Sequence, residues 1–299
     1  MEVIKSFLEY LQSEVTSSLN TIESYKNDLL RLESFIASNN LNITNITADV
    51  LNNFISKLII DRFAISTVNR NISVIKHFFN YLVEEGIIRE SPAINLELLQ
   101  LPRNLPKFLS LFEVKALLET AQAWQSPKFY IMLELLYATG MRVSELVSLK
   151  YSSLKFEQGK ILPFLIVKGK GNKERLIPLH LKICNLLAEY LKDLDSNGLF
   201  LFPSTSKEGY VTRQRFGQFL KEIAIRSNID PVKVSPHILR HSFATHILEN
   251  GANLKLIQEL LGHADISTTQ IYTHLTMNKL ASIVKDFHPL SQGKKPGQL

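Results

Sequence analysis

The sequence predicts a mainly α-helical, two-domain protein carrying a small antiparallel β-hairpin, and three observations support this. Apolar residues recur at helical spacing from the start to about residue 90, with no competing strand pattern. Prolines 92, 102 and 106 then crowd a short basic stretch and forbid a continuous helix there. Beyond it, only residues 161–167 and 175–179 read as strands, separated by the Gly/Asn turn Lys168-Gly-Lys-Gly-Asn-Lys173.

Taken in order, Phe7, Leu8 and Leu11 begin the first helix. The second opens at Asn20 or Thr21, where Asn20 and Glu23 have capping-box spacing, and runs through Tyr25, Leu29, Leu32 and Ile36. A third follows Thr47. The fourth starts at Ser66-Thr67, buries Val68, Ile72, Ile75, Phe78, Phe79 and Leu82, and stops at Gly86. Four such helices make one bundle. After the linker, Ser110 and Glu113 again have capping-box spacing, and the helix through Tyr130 and Tyr137 ends near Thr139-Gly140. Pro163 marks its strand as an edge strand or a bulged one. Residues 180–285 return to helix.

Composition bounds the function. With 45% apolar and 21% charged residues and a mean hydropathy of +0.03, the 299-residue chain is neither disordered, collagenous nor a disulfide scaffold. Cys184, the single cysteine, excludes an intramolecular disulfide and a cysteine-based zinc site. No apolar run approaches the ~20 residues of a membrane span, and charges interrupt the first residues, so a cytoplasmic protein without membrane contact is expected. Charge is unevenly spread. Residues 1–100 hold 8 Lys and Arg against 12 Asp and Glu, net −4, whereas residues 101–299 hold 26 against 16, net +10. That bias suits a polyanionic partner. Lys26, Arg31, Arg70 and Lys76 on polar helix faces, with Arg103 and Lys107 in the linker, are candidate phosphate contacts; solvated surface charge is the plainer reading of each alone.

Three clusters carry potential chemistry. In Ala138-Thr-Gly-Met-Arg142-Val-Ser-Glu145-Leu, Gly140 permits a sharp bend that leaves Arg142 at a helix start, with Glu145 one turn on. A cation there needs an anionic partner, either Glu145 or a phosphate. Lys168, Lys170 and Lys173 sit on the glycine-flanked turn, where a lysine can swing into a ligand and donate a proton. In Ser235-Pro-His237-Ile-Leu-Arg240-His241-Ser-Phe-Ala-Thr-His246, His237 and Arg240 are three apart on one helical face. Histidines 237, 241, 246, 263 and 274 raise the rival of a metal site, but no H-E-x-x-H pattern is present and His241 and His246 are five apart, so no metal is expected.

These segments, together with Leu260-Leu-Gly-His263-Ala-Asp-Ile-Ser-Thr-Thr-Gln-Ile-Tyr272-Thr-His274, resemble in order the motifs of the tyrosine recombinases, most closely the Xer-type site-specific recombinases. The resemblance spans essentially the whole chain, strongest over residues 138–275, with Asn-Thr-Ile-Glu-Ser-Tyr and Thr-Val-Asn-Arg resembling the family's DNA-clamping domain. It implies a SAM-like four-helix core-binding domain over residues 1–100, a basic linker over 101–110, an α-rich catalytic domain with its β-hairpin over 111–290 and a flexible tail over 291–299. It further implies that Arg142 and Arg240 hold the non-bridging oxygens of the scissile phosphate, that Tyr272 attacks it, that His237 and His263 assist by proton transfer and hydrogen bonding, that Lys170 protonates the leaving 5′ oxygen, and that Glu145 steadies Arg142.

The implied function is site-specific recombination through a 3′-phosphotyrosyl intermediate, resolving chromosome dimers at cell division, without metal, nucleotide or other cofactor. The implied partners are a double-stranded recombination site, a homo- or hetero-tetramer with a related Xer recombinase and a division-linked DNA translocase. Residues 276–290, with Leu280, Ile283, Val284 and Phe287 on an apolar stripe, read either as the C-terminal segment the family exchanges between protomers or as an internal core helix. The alternatives are a catalytically silent DNA-binding protein of the same fold and a phage or transposon integrase.

Overall fold

A computed structural model of the chain describes residues 2–13, 19–100, 108–124, 126–168, 174–194, 198–261 and 286–289. The chain divides into two compact units, Met1–Asn104 and Leu105–Leu299.

The first unit holds α1 (Glu2–Ser13), α2 (Leu19–Ser38), α3 (Ala48–Ile60) and α4 (Ile65–Glu84). Their apolar stripes meet in one core, in which Phe7 of α1 packs on Phe78 and Tyr81 of α4. α4 stops where Glu85 caps it and Gly86 takes φ +67°. Inside this bundle lies a buried carboxylate, Asp28 of α2, which accepts hydrogen bonds from Arg31 (2.7 Å), Arg70 (2.7 and 3.0 Å) and Asn71 (3.1 Å). The network ties α2 to α4. Asn69 of α4 likewise pairs with both the N–H and the carbonyl of Leu99, fastening the chain that leaves the bundle.

The second unit is built around α6 (Pro127–Thr139), buried without interruption from Tyr130 to Thr139. A helix apolar on all sides belongs in a core. Around it pack α5 (Leu111–Ala123), α8 (Leu181–Lys192) and α10 (Pro236–Glu249), while α9 (Arg213–Arg226) lies on α5 and α11 (Leu254–Leu261) on α10. The Ser110–Glu113 capping box at the start of α5 forms as its spacing predicts. The short α7 (Val143–Val147) follows α6.

The sheet has three antiparallel strands rather than two, β1 (Leu154–Glu157), β2 (Lys160–Lys168) and β3 (Glu174–Pro178), in that order. Pro163 therefore lies in the central strand, not at an edge. The ladder tolerates it because the regular β2–β3 pairing ends at Phe164 with Pro178, one residue before Pro163 is reached, and the β1–β2 register slips opposite this part of β2, so neither side requires its missing N–H. The Pro163 carbonyl still accepts from the Leu179 N–H at 2.9 Å.

Tyr137 of α6 anchors a buried histidine cluster. Its hydroxyl lies 2.8 Å from His246 Nδ1, its carbonyl 3.2 Å from His288 Nε2, and the His180 ring lies 5.6 Å from that of His288, tilted by 36°. Neither nitrogen of His180 meets a hydrogen-bond partner among the described residues. Burial, then the Lys182 charge, lowers the His180 pKa to about 4; burial, then His180, lowers that of His288 to about 3. A base whose folded pKa lies below its unfolded value of about 6.5 contributes stability that is intact above pH 6.5 and lost as pH falls toward the folded pKa. The unfolding free energy from denaturant titration should therefore drop between pH 6.5 and 4, by about 1.4 kcal/mol per pH unit for each histidine. His180→Leu should flatten that slope by about one proton's share. An unchanged slope would mean that His180 titrates normally in the folded state.

Candidate active site

The site is organised by the end of α6. Gly140 caps that helix with φ +60°, and the turn it makes delivers Arg142 as N-cap of α7 and Glu145 into its first turn. Glu145 is buried, and its carboxylate collects four donors. The Arg142 N–H reaches Oε2 at 2.7 Å and Arg142 Nη1 reaches Oε1 at 3.3 Å, while Arg175 of β3 forks onto both oxygens at 2.5 and 2.9 Å. Burial works to raise the Glu145 pKa, but the hydrogen bonds and charge of Arg175, and then those of Arg142, overcome it and hold the carboxyl below its ordinary range.

Arg240 enters from α10, whose start is fixed by Ser235 accepting the Ile238 N–H at 3.2 Å. Its buried guanidinium donates to the Gly140 carbonyl and, at 2.8 Å, to the Leu261 carbonyl at the end of α11. It thus joins three elements and retains donors for a further acceptor. Burial, followed by the charges of Arg142 and Arg175, lowers the Arg240 pKa to about 10, with Glu145 opposing. Three guanidiniums around one carboxylate leave a cationic surplus, which a phosphate would neutralise. His237 is exposed at the second position of α10, one turn from Arg240.

Lys170, His263, Tyr272, Arg103 and Lys107 lie outside the described residues, as do Lys173 and most of segment 276–290. From the end of that segment, Phe287 packs against the core of its own unit, and its carbonyl accepts from Asn250 Nδ2 at 2.7 Å. Among the bundle candidates, Lys26 is exposed and Lys76 Nζ lies 3.5 Å from the Ile94 carbonyl. Arg31 and Arg70 turn toward Asp28 instead, and Arg31 also covers the Phe63 ring. Among the described residues no His, Cys, Asp and Glu group has a metal-binding arrangement, and no helix is long and apolar enough to cross a membrane.

Arg175 was missed by the sequence reading, which took it only as a strand residue. Its signal was alternation: it shares a strand face with buried Ile177, and a cation on a buried face requires a buried anion.

The phage integrase family matches residues 107–279, and the N-terminal SAM-like domain of phage integrases matches residues 4–86. The tyrosine recombinase XerD of Rickettsia bellii (strain RML369-C) is 43% identical over 98% of this chain and 100% of its own. The chain belongs to the phage integrase family of tyrosine recombinases. XerD of Rhizobium meliloti (strain 1021) is 40% identical over 98% of this chain and 96% of its own. In fold, the recombinase is similar to the XerH site-specific recombinase bound to its difH substrate (TM-score 0.66, 24% identity, covering 94% of this chain and 83% of that one). It is also similar to the Tn1549 transposon integrase in complex with circular intermediate DNA (TM-score 0.70, 20% identity, covering 88% and 92%). It is a Xer-type site-specific recombinase, an enzyme that breaks and rejoins DNA strands through a tyrosine intermediate.

Proposed function

We propose that Arg142 and Arg240 bind the non-bridging oxygens of the scissile phosphate and that Tyr272 displaces the 5′ oxygen to form a 3′-phosphotyrosyl ester. His237 and His263 move protons and hydrogen-bond the phosphate, Lys170 protonates the leaving oxygen, and Glu145 orients Arg142. The observation that carries this reading is the convergence of Arg142 and Arg240 on the Gly140 corner, close enough for one charge to depress the pKa of the other. Such a pair attracts an anion and neutralises charge developing on phosphorus. Tyrosine, with a reference pKa of about 10, needs that cationic field to act as a nucleophile. The phosphodiester's energy is kept in the tyrosyl ester, so rejoining requires neither nucleotide nor other cofactor, and the guanidiniums take the charge-neutralising part a metal would otherwise play.

In this reading residues 1–100 clamp the duplex, 101–110 link, 111–290 cut and rejoin, and 291–299 form a tail. The recombinase works in the cytoplasm as a tetramer on two sites, either alone or with a related Xer recombinase, and resolves chromosome dimers at division under a DNA translocase. The relatives' printed name, tyrosine recombinase XerD, supports the recombinase part of this role.

The test is a nicked duplex bearing candidate sites, incubated with the protein in EDTA and digested with trypsin. DNA should be found attached to the peptide spanning residues 256–279, whose single tyrosine is Tyr272. Attachment to another peptide, or cleavage only when a divalent ion is restored, would overturn the assignment.

A further inference from the structure

We propose that Arg175 is a positioning residue for strand cleavage: by occupying both oxygens of Glu145, it keeps that carboxylate from closing on Arg142 and leaves the Arg142 guanidinium available to the scissile phosphate. The inference rests on the reading of Arg142 as a phosphate ligand.

The two arginines meet Glu145 in unlike ways. Arg175 takes both oxygens end-on, through Nη1 and Nη2, at 2.5 and 2.9 Å, with its side chain 12% exposed; Arg142 makes one side-chain contact at 3.3 Å and remains 41% exposed. A bidentate guanidinium–carboxylate pair is strong and directional, and burial strengthens it further. Arg175 is thereby committed, each of its two terminal nitrogens holding one oxygen of Glu145. Without Arg175, Glu145 would be a buried carboxylate lacking its main counter-charge, and the adjacent cation able to replace it is Arg142. A guanidinium locked onto that carboxylate would be lost to the phosphate. Arg175 also sits on β3, paired with Val167 of β2, so the same ion pair ties the sheet to α7.

The experiment measures single-turnover cleavage on two duplexes, one normal and one with a neutral methylphosphonate at the scissile position. On the normal duplex, Arg175→Gln should cleave about 10- to 100-fold more slowly, with DNA binding unchanged. Arg175→Lys, which keeps the charge but not the fork, should fall between Arg175→Gln and wild type. A methyl group in place of one charged oxygen removes the demand on Arg142, so the Arg175→Gln deficit should shrink to within about threefold, as should that of Arg142→Ala. A misfolded protein would not be restored by a change in substrate. If Arg175→Gln weakens DNA binding, the same comparison made with Arg175→Lys decides. An undiminished deficit on the neutral duplex, or wild-type cleavage by Arg175→Gln, overturns the inference while Arg142→Ala still behaves as expected. Wild-type cleavage of the normal duplex by Arg142→Ala would instead overturn the underlying reading.

Discussion

Arg240→Met should form the covalent DNA adduct about 10²- to 10³-fold more slowly than wild type while still binding the duplex. The expected size follows from the donors. A guanidinium has five N–H groups; here two bonds run to the Gly140 and Leu261 carbonyls, which fix its plane and leave the others for an incoming oxyanion. No reorganisation is then needed when charge builds on the phosphate, the condition under which a hydrogen-bond donor contributes most to catalysis. The lowered pKa, about 10, adds to this argument. The side chain remains charged at neutral pH but is desolvated by burial and, to a lesser degree, crowded by Arg142 and Arg175, and an arriving anion relieves it. Stability should change less than activity. Methionine fills similar volume, and the loss of two carbonyl partners is offset by removing a desolvated charge. Arg240→Lys should rescue poorly, since a point ammonium cannot span two carbonyls and a phosphate at once. Adduct formation by Arg240→Met within tenfold of wild type would remove Arg240 from the catalytic group.

Some features that depend on nearby residues were legible in the sequence, although α2 already begins at Leu19, so Asn20 lies inside the helix and not at its cap, and α4 begins at Ile65 rather than at Ser66-Thr67. The Ser110–Glu113 box and the stop at Gly140 are settled within a few residues, and both form as the spacing indicates. Features that depend on distant partners were not. Arg70 reads as a cation on a polar face until α2 brings Asp28 to it from 42 residues away; it and Arg31 pair with that buried carboxylate while their own side chains stay 45% and 38% exposed. Arg175 was hidden likewise, its carboxylate lying 30 residues earlier. β1 has four residues with one buried position, too few for an alternation to register, and its absence from the sequence reading made β2 look like an edge. The motif arginines were easier. Their local turn was readable, and the long-range element, the reach of Arg240 back to the Gly140 carbonyl, came from the packing of α10 on α6.

Gly140→Ala should damage folding and catalysis together. At φ +60° an L-residue is strained by about 1 kcal/mol. A Cβ at this position would also strike the ring of Phe243, a fully buried side chain, and come within 3.0 Å of Leu261 Cδ2. The Phe243 ring would have to shift to admit it, and overpacking of this kind costs about 1–3 kcal/mol. The expected loss is therefore about 2–4 kcal/mol, read as a fall in thermal or denaturant midpoint. Activity should fall further than the folded fraction does, because both residues the methyl meets adjoin the arginine site: Phe243 lies on α10 three residues beyond Arg240, and Leu261 supplies one of the carbonyls that Arg240 holds. Measuring adduct formation at a temperature where the variant is fully folded separates the two effects. A normal rate under that condition would show that Gly140 serves the fold alone and that the Arg240 site does not depend on this corner.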